Sequence, residues 1–317
     1  MNPDDRLHRL LDEAVEGVEP GYGLDRIRAR TSRPARRGWA WGAAGAALAT
    51  AATVAAVVAF DGGPGTTGAD PGPAASNSTS AEPERVVYFV EDTGVGPRLV
   101  PEVHAAVTPG AALDEAVTDA VSGRVTDLDY DTPWPIGATM QRAQLNAGVL
   151  SVDLSGPVVE RPAGMTRATA ALAVQQLVWT AQANADGPLP VTFLVDGQPT
   201  GTVLGEPTTR PVPAAAADDV LAPVSVTAPG EGSVVTSPFT VEGTASAFEA
   251  NVQWELTGPD GVVKRGFATA KECCTVSPYS FEVTAPPGDY TLVVHDEDVS
   301  GGEGFPQSED TKRVTVR

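Results

Sequence analysis

Apolar positions between residues 86 and 195 follow a strand pattern and a helix pattern in turn. Residues 86–90 form a short apolar run suited to a buried strand, and residues 99–107 alternate apolar with polar or small side chains. Residues 111–122 repeat apolar side chains at 3.6-residue spacing, and Gly123 follows them as a helix stop. A hairpin is predicted with strands at 139–145 and 149–154, followed by a second helix at 165–183 and a last strand at 190–195. This order predicts an α+β domain with helices on one face of a sheet.

The C-terminal part of the chain shows only the two-residue period of strands. Turn residues such as Pro259-Asp260-Gly261 separate its apolar runs. The runs are Val224/Val226, Phe239/Val241, Val252/Trp254/Leu256, Phe281/Val283, Tyr290/Leu292/Val294 and Val314/Val316. They predict an all-β immunoglobulin-like sandwich with Trp254 as its central core aromatic. The antibody-type pair of cysteines flanking a tryptophan is absent from the sequence, so we expect packing alone to hold this core.

One segment near the N-terminus is long and apolar enough to cross a bilayer. Residues 39–60 are 22 residues without a charged side chain, and a helix of that length roughly matches the ~30 Å hydrocarbon core. Arginines precede this segment and acidic residues follow it, which predicts a cytoplasmic N-terminus and an extracytoplasmic C-terminal part. We therefore expect a partly helical cytoplasmic stub at 1–37 and a single transmembrane helix at 38–60.

Composition divides the rest of the chain. Residues 61–84 are rich in Gly, Pro, Ala, Ser and Thr and are predicted to be a disordered linker. Residues 206–222 have a similar composition and are predicted to link two folded regions, 85–205 and 223–317. Residues 61–317 carry 13 Lys and Arg against 34 Asp and Glu, a net charge of 13 − 34 = −21. So acidic a region excludes nucleic acid as a partner and disfavours contact with anionic lipid beyond the anchor.

Cys273 and Cys274 are adjacent and are the only cysteines. In an oxidising compartment they form either a vicinal disulfide or a bond between molecules. The alternative is that one cysteine faces the core and its neighbour faces out. Two cysteines without matched histidines do not make a zinc site of the usual spacing.

An acidic loop near the C-terminus resembles a calcium-binding loop. Asp296, Asp298 and Ser300 fall at positions 1, 3 and 5 of an EF-hand-like loop. Position 12 is Gln307, where such a loop requires a bidentate Glu. A solvated acidic loop between strands is the alternative, and we predict no metal or cofactor site.

Asp127, Asp129 and Asp131 alternate in a short segment close to Trp134. Paired carboxylates suggest acid and base catalysis on glycans, whereas a loop that hydrogen-bonds its own backbone is the alternative. His104 and the other two histidines are isolated from any nucleophile motif. The sequence therefore predicts no catalytic residues and no enzyme.

The first region resembles the GerMN domain in the order and spacing of its motifs, over about residues 86–205. These motifs are LVPEVHAAV, LDEAVTDAVSG, TPWPIGATM, GVLSVDLS, AVQQLVWTAQ and VTFLVDGQP. The second region resembles the Gmad2 domain, an immunoglobulin-like module found next to GerMN, through VTAPGEGSVVTSPFTVEG, YSFEV, GDYTLVVHDEDVSGGEG and DTKRVTV. The resemblance implies a cell-envelope protein of the sporulation and germination type, with no established catalysis and with homo-oligomerisation through the GerMN domain.

Two functional hypotheses of different class follow. The first is a membrane-anchored, non-enzymatic protein whose extracytoplasmic domains bind envelope proteins or peptidoglycan components. The second is an anti-sigma-like transmembrane regulator, because the stub LDEAVEGVEPGYGLDRIRART resembles the N-termini of membrane-bound sigma-factor regulators. The His-x-x-x-Cys-x-x-Cys zinc motif of many such regulators is missing from the stub.

Overall fold

The computed structural model describes residues 84–108, 110–185, 187–296 and 307–317. The predicted stub at 1–37, transmembrane helix at 38–60 and first linker, except Glu84, lie outside the described residues. No helix among the described residues is long and apolar enough to cross a membrane. All of the described residues fall in one compact unit, Ala75–Arg317, which contains both predicted domains.

The first domain begins with an antiparallel hairpin. Its strands are β1, Glu84–Thr93, and β2, Gly96–Ala105. Helix α1, Ala112–Ser122, follows and ends at Gly123 in the left-handed conformation with φ 66°, which confirms the predicted helix stop. A loop containing Pro133 and Pro135 then leads to the second sheet.

The second sheet of the first domain has four strands in the order β3-β4-β5-β6. Strands β3 and β4 are antiparallel, whereas β4 and β5 are parallel and are connected through helix α2. The bounds are β3, Thr139–Asn146; β4, Val149–Ser155; α2, Arg167–Ala183; β5, Val191–Val195; and β6, Gln198–Pro199. The predicted elements are therefore present within a few residues, but they form two sheets rather than one. Both helices and both sheets contribute buried side chains to one core.

The second domain is the predicted sandwich. A five-stranded sheet has the order β10-β16-β15-β12-β13, and a three-stranded sheet has the order β14-β11-β9. The bounds are β9, Val224–Ala228; β10, Ser233–Val235; β11, Phe239–Ala245; β12, Asn251–Gly258; β13, Gly261–Thr269; β14, Ser277–Val283; β15, Gly288–Asp296; and β16, Glu309–Val316. Trp254 is buried in this core, as expected, and its ring stacks on Phe281 with centroids 5.1 Å apart.

The segment predicted as the second linker is ordered and packs against the first domain. It contains the short strand β8, Glu206–Pro207, which pairs with β7, Thr202–Val203, and one turn of helix α3, Ala217–Val220. Val220 and Leu221 are buried in an apolar cluster with Leu99 and Leu172, and the backbone N–H of Ala222 donates to the carbonyl of Leu99 at 2.8 Å. The segment therefore connects the domains without being a free spacer, because Val220 and Leu221 are buried against β2 and α2.

One glycine marks the closest approach inside the sandwich. A Cβ at Gly243 would collide with the carbonyl oxygen of Ser225 and would lie 2.5 Å from the hydroxyl oxygen of Tyr279. The Tyr279 hydroxyl donates to the same Ser225 carbonyl at 3.0 Å. The backbone of β11 can therefore meet β9 and Tyr279 only where no side chain intervenes.

We predict that Gly243→Ala lowers the free energy of unfolding by about 1–3 kcal/mol, because the added methyl group must displace packed neighbours. Denaturant unfolding of the full chain measures this loss. Gly230→Ala is the matched control, since a Cβ there has its nearest contact at 3.5 Å and should change stability by no more than ~0.5 kcal/mol. Equal stability of the two variants would contradict the packing described for β11.

Candidate functional site

One cluster of buried polar groups lies where the two domains meet. Lys312 on β16 places its ammonium 2.7 Å from Asp127 Oδ2, 2.6 Å from Asp310 Oδ1 and 2.6 Å from the Tyr130 hydroxyl. Asp127 and Tyr130 belong to the loop after α1, whereas Lys312 and Asp310 belong to the second domain. Only 3% of the Lys312 side chain is exposed, so its charge depends on these partners. We call these four residues the interdomain joint.

Asp310 is the second centre of the interdomain joint. It accepts a bond from the Tyr130 hydroxyl at 3.0 Å and one from the backbone N–H of Val226 at 2.6 Å, in addition to the Lys312 ammonium. Burial alone would lower the pKa of Lys312, but the charge of Asp310 and the bonds to Asp127 and Asp310 outweigh it and raise that pKa. The lysine is therefore charged inside the protein.

Glu91 on β1 borders the interdomain joint. Its Oε2 atom is buried and accepts no hydrogen bond from the part of the chain that the structure describes. Burial and, after it, the charge of Asp310 raise the pKa of Glu91 to about 8, against the opposing charge of Lys312. At neutral pH this carboxyl group is therefore largely protonated.

A second buried network contacts the same loop. His104 lies between Glu102 Oε1 at 2.6 Å and Asp119 Oδ2 at 3.1 Å, and Asp119 also accepts a bond from Arg85 at 2.6 Å. Glu102 further accepts the backbone N–H of Thr126 at 2.8 Å. Burial alone would lower the pKa of His104, but the bonds to Asp119 and Glu102 raise it to about 9. The histidine is thus cationic and fixed between two carboxylates.

The three aspartates singled out in the sequence each have a different hydrogen-bond partner. Asp127 binds Lys312, Asp129 accepts a bond from the Thr311 hydroxyl at 3.2 Å, and Asp131 caps the backbone N–H of Thr132 at 2.7 Å. Asp127 also accepts the backbone N–H of Asp129, so the predicted loop with its own backbone bonds is present in part. The interdomain role of Asp127 was missed.

A signal for the interdomain joint is present in the sequence. Val314 and Val316 face the sandwich core, and the two-residue alternation of β16 puts Asp310 and Lys312 on the same face of the strand. A charged residue at a core-facing strand position requires a buried partner. That partner, Asp127, lies 185 residues away and could not be identified from strand periodicity.

The structure joins Cys273 and Cys274 by a disulfide in the loop before β14. Directly after it, the Thr275 hydroxyl and the Val276 backbone N–H donate to Asp218 on α3, at 2.8 and 2.7 Å. The disulfide loop therefore contacts the segment that connects the two domains.

Of the three weak calcium candidates, Asp296, Asp298 and Ser300, one lies among the described residues. Asp296 is described, and its side chain accepts the backbone N–H of Ser308 at 3.0 Å, but Asp298 and Ser300 lie outside the described residues. Within the described ranges, no group of three or more His, Cys, Asp or Glu side chains is arranged to hold a metal ion.

An apolar groove of about 680 Å³ lies on the first domain. Its walls are the β1–β2 turn, helix α2, strand β8 and the segment that includes α3. Its lining includes Pro97, Ala168, Ala171, Leu172, Val212 and Val220. The sequence did not reveal this groove, because one of its walls is the segment whose composition suggested a free linker.

We predict that Lys312→Met lowers the free energy of unfolding by about 3–5 kcal/mol, because it leaves the buried carboxylates of Asp127 and Asp310 without a cation. Denaturant unfolding at pH 7 measures the loss. Lys264→Met is the matched control, since Lys264 is exposed and its replacement should change the free energy of unfolding by no more than ~0.5 kcal/mol. Similar stability of the two variants would show that Lys312 does not hold the interdomain joint.

We predict that His104 makes stability fall with rising pH. Its pKa in the folded protein lies above the ordinary value of 6.5, so its contribution is complete below pH 6.5 and is lost as the pH rises through about 9. His104→Gln should reduce the fall in unfolding free energy between pH 8 and 9, a range in which Glu91, with a pKa of about 8, contributes the remaining part of the fall. His295→Gln should leave that fall in place, and an unchanged pH profile in His104→Gln would contradict the charged histidine.

Comparison with known proteins assigns both domains. Residues 86–201 match the family model Germane, described as sporulation and spore germination, and residues 223–303 match Gmad2, the immunoglobulin-like domain of bacterial spore germination. No curated protein matches the chain significantly.

Two solved structures show only weak likeness. One is an engineered protein with 14% identity and a TM-score of 0.26, where the match covers 46% of this chain and 36% of the other. The second is a Clostridium perfringens protein assigned as a lipoprotein, with 15% identity and a TM-score of 0.28, covering 44% of this chain and 91% of the other. Neither structure supports a functional argument. The two family matches confirm the predicted resemblance: a region that matches Germane is followed by a region that matches the Gmad2 immunoglobulin-like domain.

Proposed function

We propose that this protein is a membrane-anchored, extracytoplasmic, non-enzymatic protein that binds or scaffolds partners in the cell envelope. The type of its two domains supports an envelope role, since both matched families are described by sporulation or spore germination. The uncharged segment at 38–60, with arginines before it and acids after it, supports the anchor and its orientation, although it lies outside the described residues.

The apolar groove is the observation that carries the binding proposal. A concave, mostly apolar recess with a few polar groups is the usual form of a binding site. The charged residues among its lining are Arg98, Glu206 and Asp219. Of these, Glu206 pairs with the exposed Arg167 at 3.3 Å. We infer that these charged side chains orient a bound apolar segment rather than transfer a proton.

The buried networks support a non-enzymatic role. Both ring nitrogens of His104 are bound to carboxylates, so neither is available to take a proton from a substrate. Asp127 is bound to Lys312 and thereby serves to join two domains. The groups whose chemistry suggests an active site are thus engaged in holding the fold.

In-cell photo-crosslinking tests the proposal. A photoreactive amino acid at Ala171 in the groove should capture an envelope protein or a peptidoglycan fragment, whereas one at the exposed Ala163 outside the groove should not. Ala168→Arg fills the groove and should reduce the yield at position 171 by about tenfold, equivalent to ~1.4 kcal/mol of binding free energy. Mass spectrometry identifies the captured partners.

Two outcomes would overturn this proposal. Equal capture at positions 163 and 171, together with a sigma factor captured by a photoreactive group at Leu11 in the stub, would favour the anti-sigma-like regulator. Release of muropeptides when the purified full chain is incubated with peptidoglycan would show an enzyme.

A further inference from the structure

Glu91 extends the core-facing side of β1 into the boundary between the domains. Val87 and Phe89 lie on the same face of β1 as Glu91 and are fully buried. One position before Glu91, the backbone of Val90 exchanges two hydrogen bonds of 2.8 Å with the backbone of Asp131. Glu91 is therefore held at the loop that supplies Asp127 and Tyr130 to the interdomain joint.

The charged and titratable groups around Glu91 come from three elements. Arg98 on β2 is paired with Glu91 in the register of the hairpin, and its guanidinium donates to the carbonyl of Pro97. The groups from the loop and from β16 are Asp127, Asp129, Tyr130, Asp310 and Lys312. Of these five groups Lys312 is the cation, and it already binds two carboxylates.

We propose that the carboxyl group of Glu91 carries a proton at the boundary between the two domains, and that ionisation of Glu91 as the pH rises loosens the interdomain joint. This would make the docking of the Gmad2 domain on the Germane domain sensitive to the pH outside the membrane. The proposal does not depend on what the groove binds.

The arrangement of donors places this proton on Glu91 rather than on Asp310. Burial raises the pKa of both groups. Both oxygens of Asp310 accept bonds from nitrogen donors, Lys312 at one and the Val226 backbone at the other, and these bonds favour the carboxylate. Glu91 Oε2 has no donor among the described residues, so Glu91 is the carboxyl that is more stable in its neutral form.

An ionised Glu91 would add a further negative charge beside Asp127 and Asp310, which already share Lys312. Like charges at such a site repel strongly, because little water is present to screen them. Separation of the domains would expose Glu91 to water and relieve both the repulsion and the desolvation. The proton is therefore released when the joint opens.

The sign of the pH dependence follows from this release. The pKa of Glu91 in the closed joint is about 8, against an ordinary value of 4.5. The stabilisation is complete below pH 4.5 and is lost as the pH rises through 8, since the closed state binds more protons than the open state in that range. The opening equilibrium should rise by roughly tenfold per pH unit, the limit for release of one proton.

Hydrogen exchange of the full chain, corrected for the intrinsic exchange rate at each pH, measures this equilibrium. Protection of peptides covering 127–131 and 309–316 should fall between pH 5 and 6.5, a window below the titration of His104. Peptides from the middle of α2 should keep their protection. Glu91→Gln retains the shape of the side chain but cannot ionise, so protection at the joint should become independent of pH in this window.

Glu84→Gln is the matched control, because Glu84 lies on the same strand and is exposed. It should preserve the wild-type fall in protection. Constant protection in the wild-type protein between pH 5 and 6.5 would overturn the proposal. A fall in Glu91→Gln as steep as in the wild type would also overturn it and would assign the proton to another group.

Discussion

A single buried ammonium group, that of Lys312, connects the two domains of this protein. Transfer of an ammonium ion from water into a protein interior costs several kcal/mol, so Lys312 is tolerated only with Asp127, Asp310 and Tyr130 all in place. Two of these partners belong to the Germane domain and one to the Gmad2 domain. The charge can therefore be satisfied in only one placement of β16 against the loop after α1, and this requirement fixes how the domains meet.

Further contacts hold the segment between the two domains. Asp218 on α3 receives two bonds from the loop that carries the Cys273–Cys274 disulfide, and Val276 of that loop packs on the apolar cluster around Leu221. The segment between the domains is thus held from both sides. Since the same segment forms one wall of the groove, the proposed binding surface depends on how the two domains dock.

The sequence was informative wherever the structural signal is local. The helical spacing of apolar residues at 111–122 and the stop at Gly123 predicted helix α1 within a few residues. The two-residue alternation of apolar side chains predicted the strands of the sandwich equally well. Each of these signals lies inside one helix or hairpin. Composition misrepresented residues 206–222, because Val220 and Leu221 are buried in the apolar cluster with Leu99 and Leu172, and Ala215 and Ala217 pack against that cluster. The interdomain joint was missed because Asp127 and Lys312 are distant in sequence, although charged residues at core-facing positions of β1 and β16 indicated that buried partners exist.

Differential scanning calorimetry of the full chain tests most directly whether the buried ionic joint makes the two domains one folding unit. The two domains should unfold in one cooperative transition at pH 6, with equal calorimetric and van't Hoff enthalpies. Two separate transitions in the wild-type protein, with a calorimetric enthalpy well above the van't Hoff value, would show that the domains fold independently and that Lys312 does not unite them.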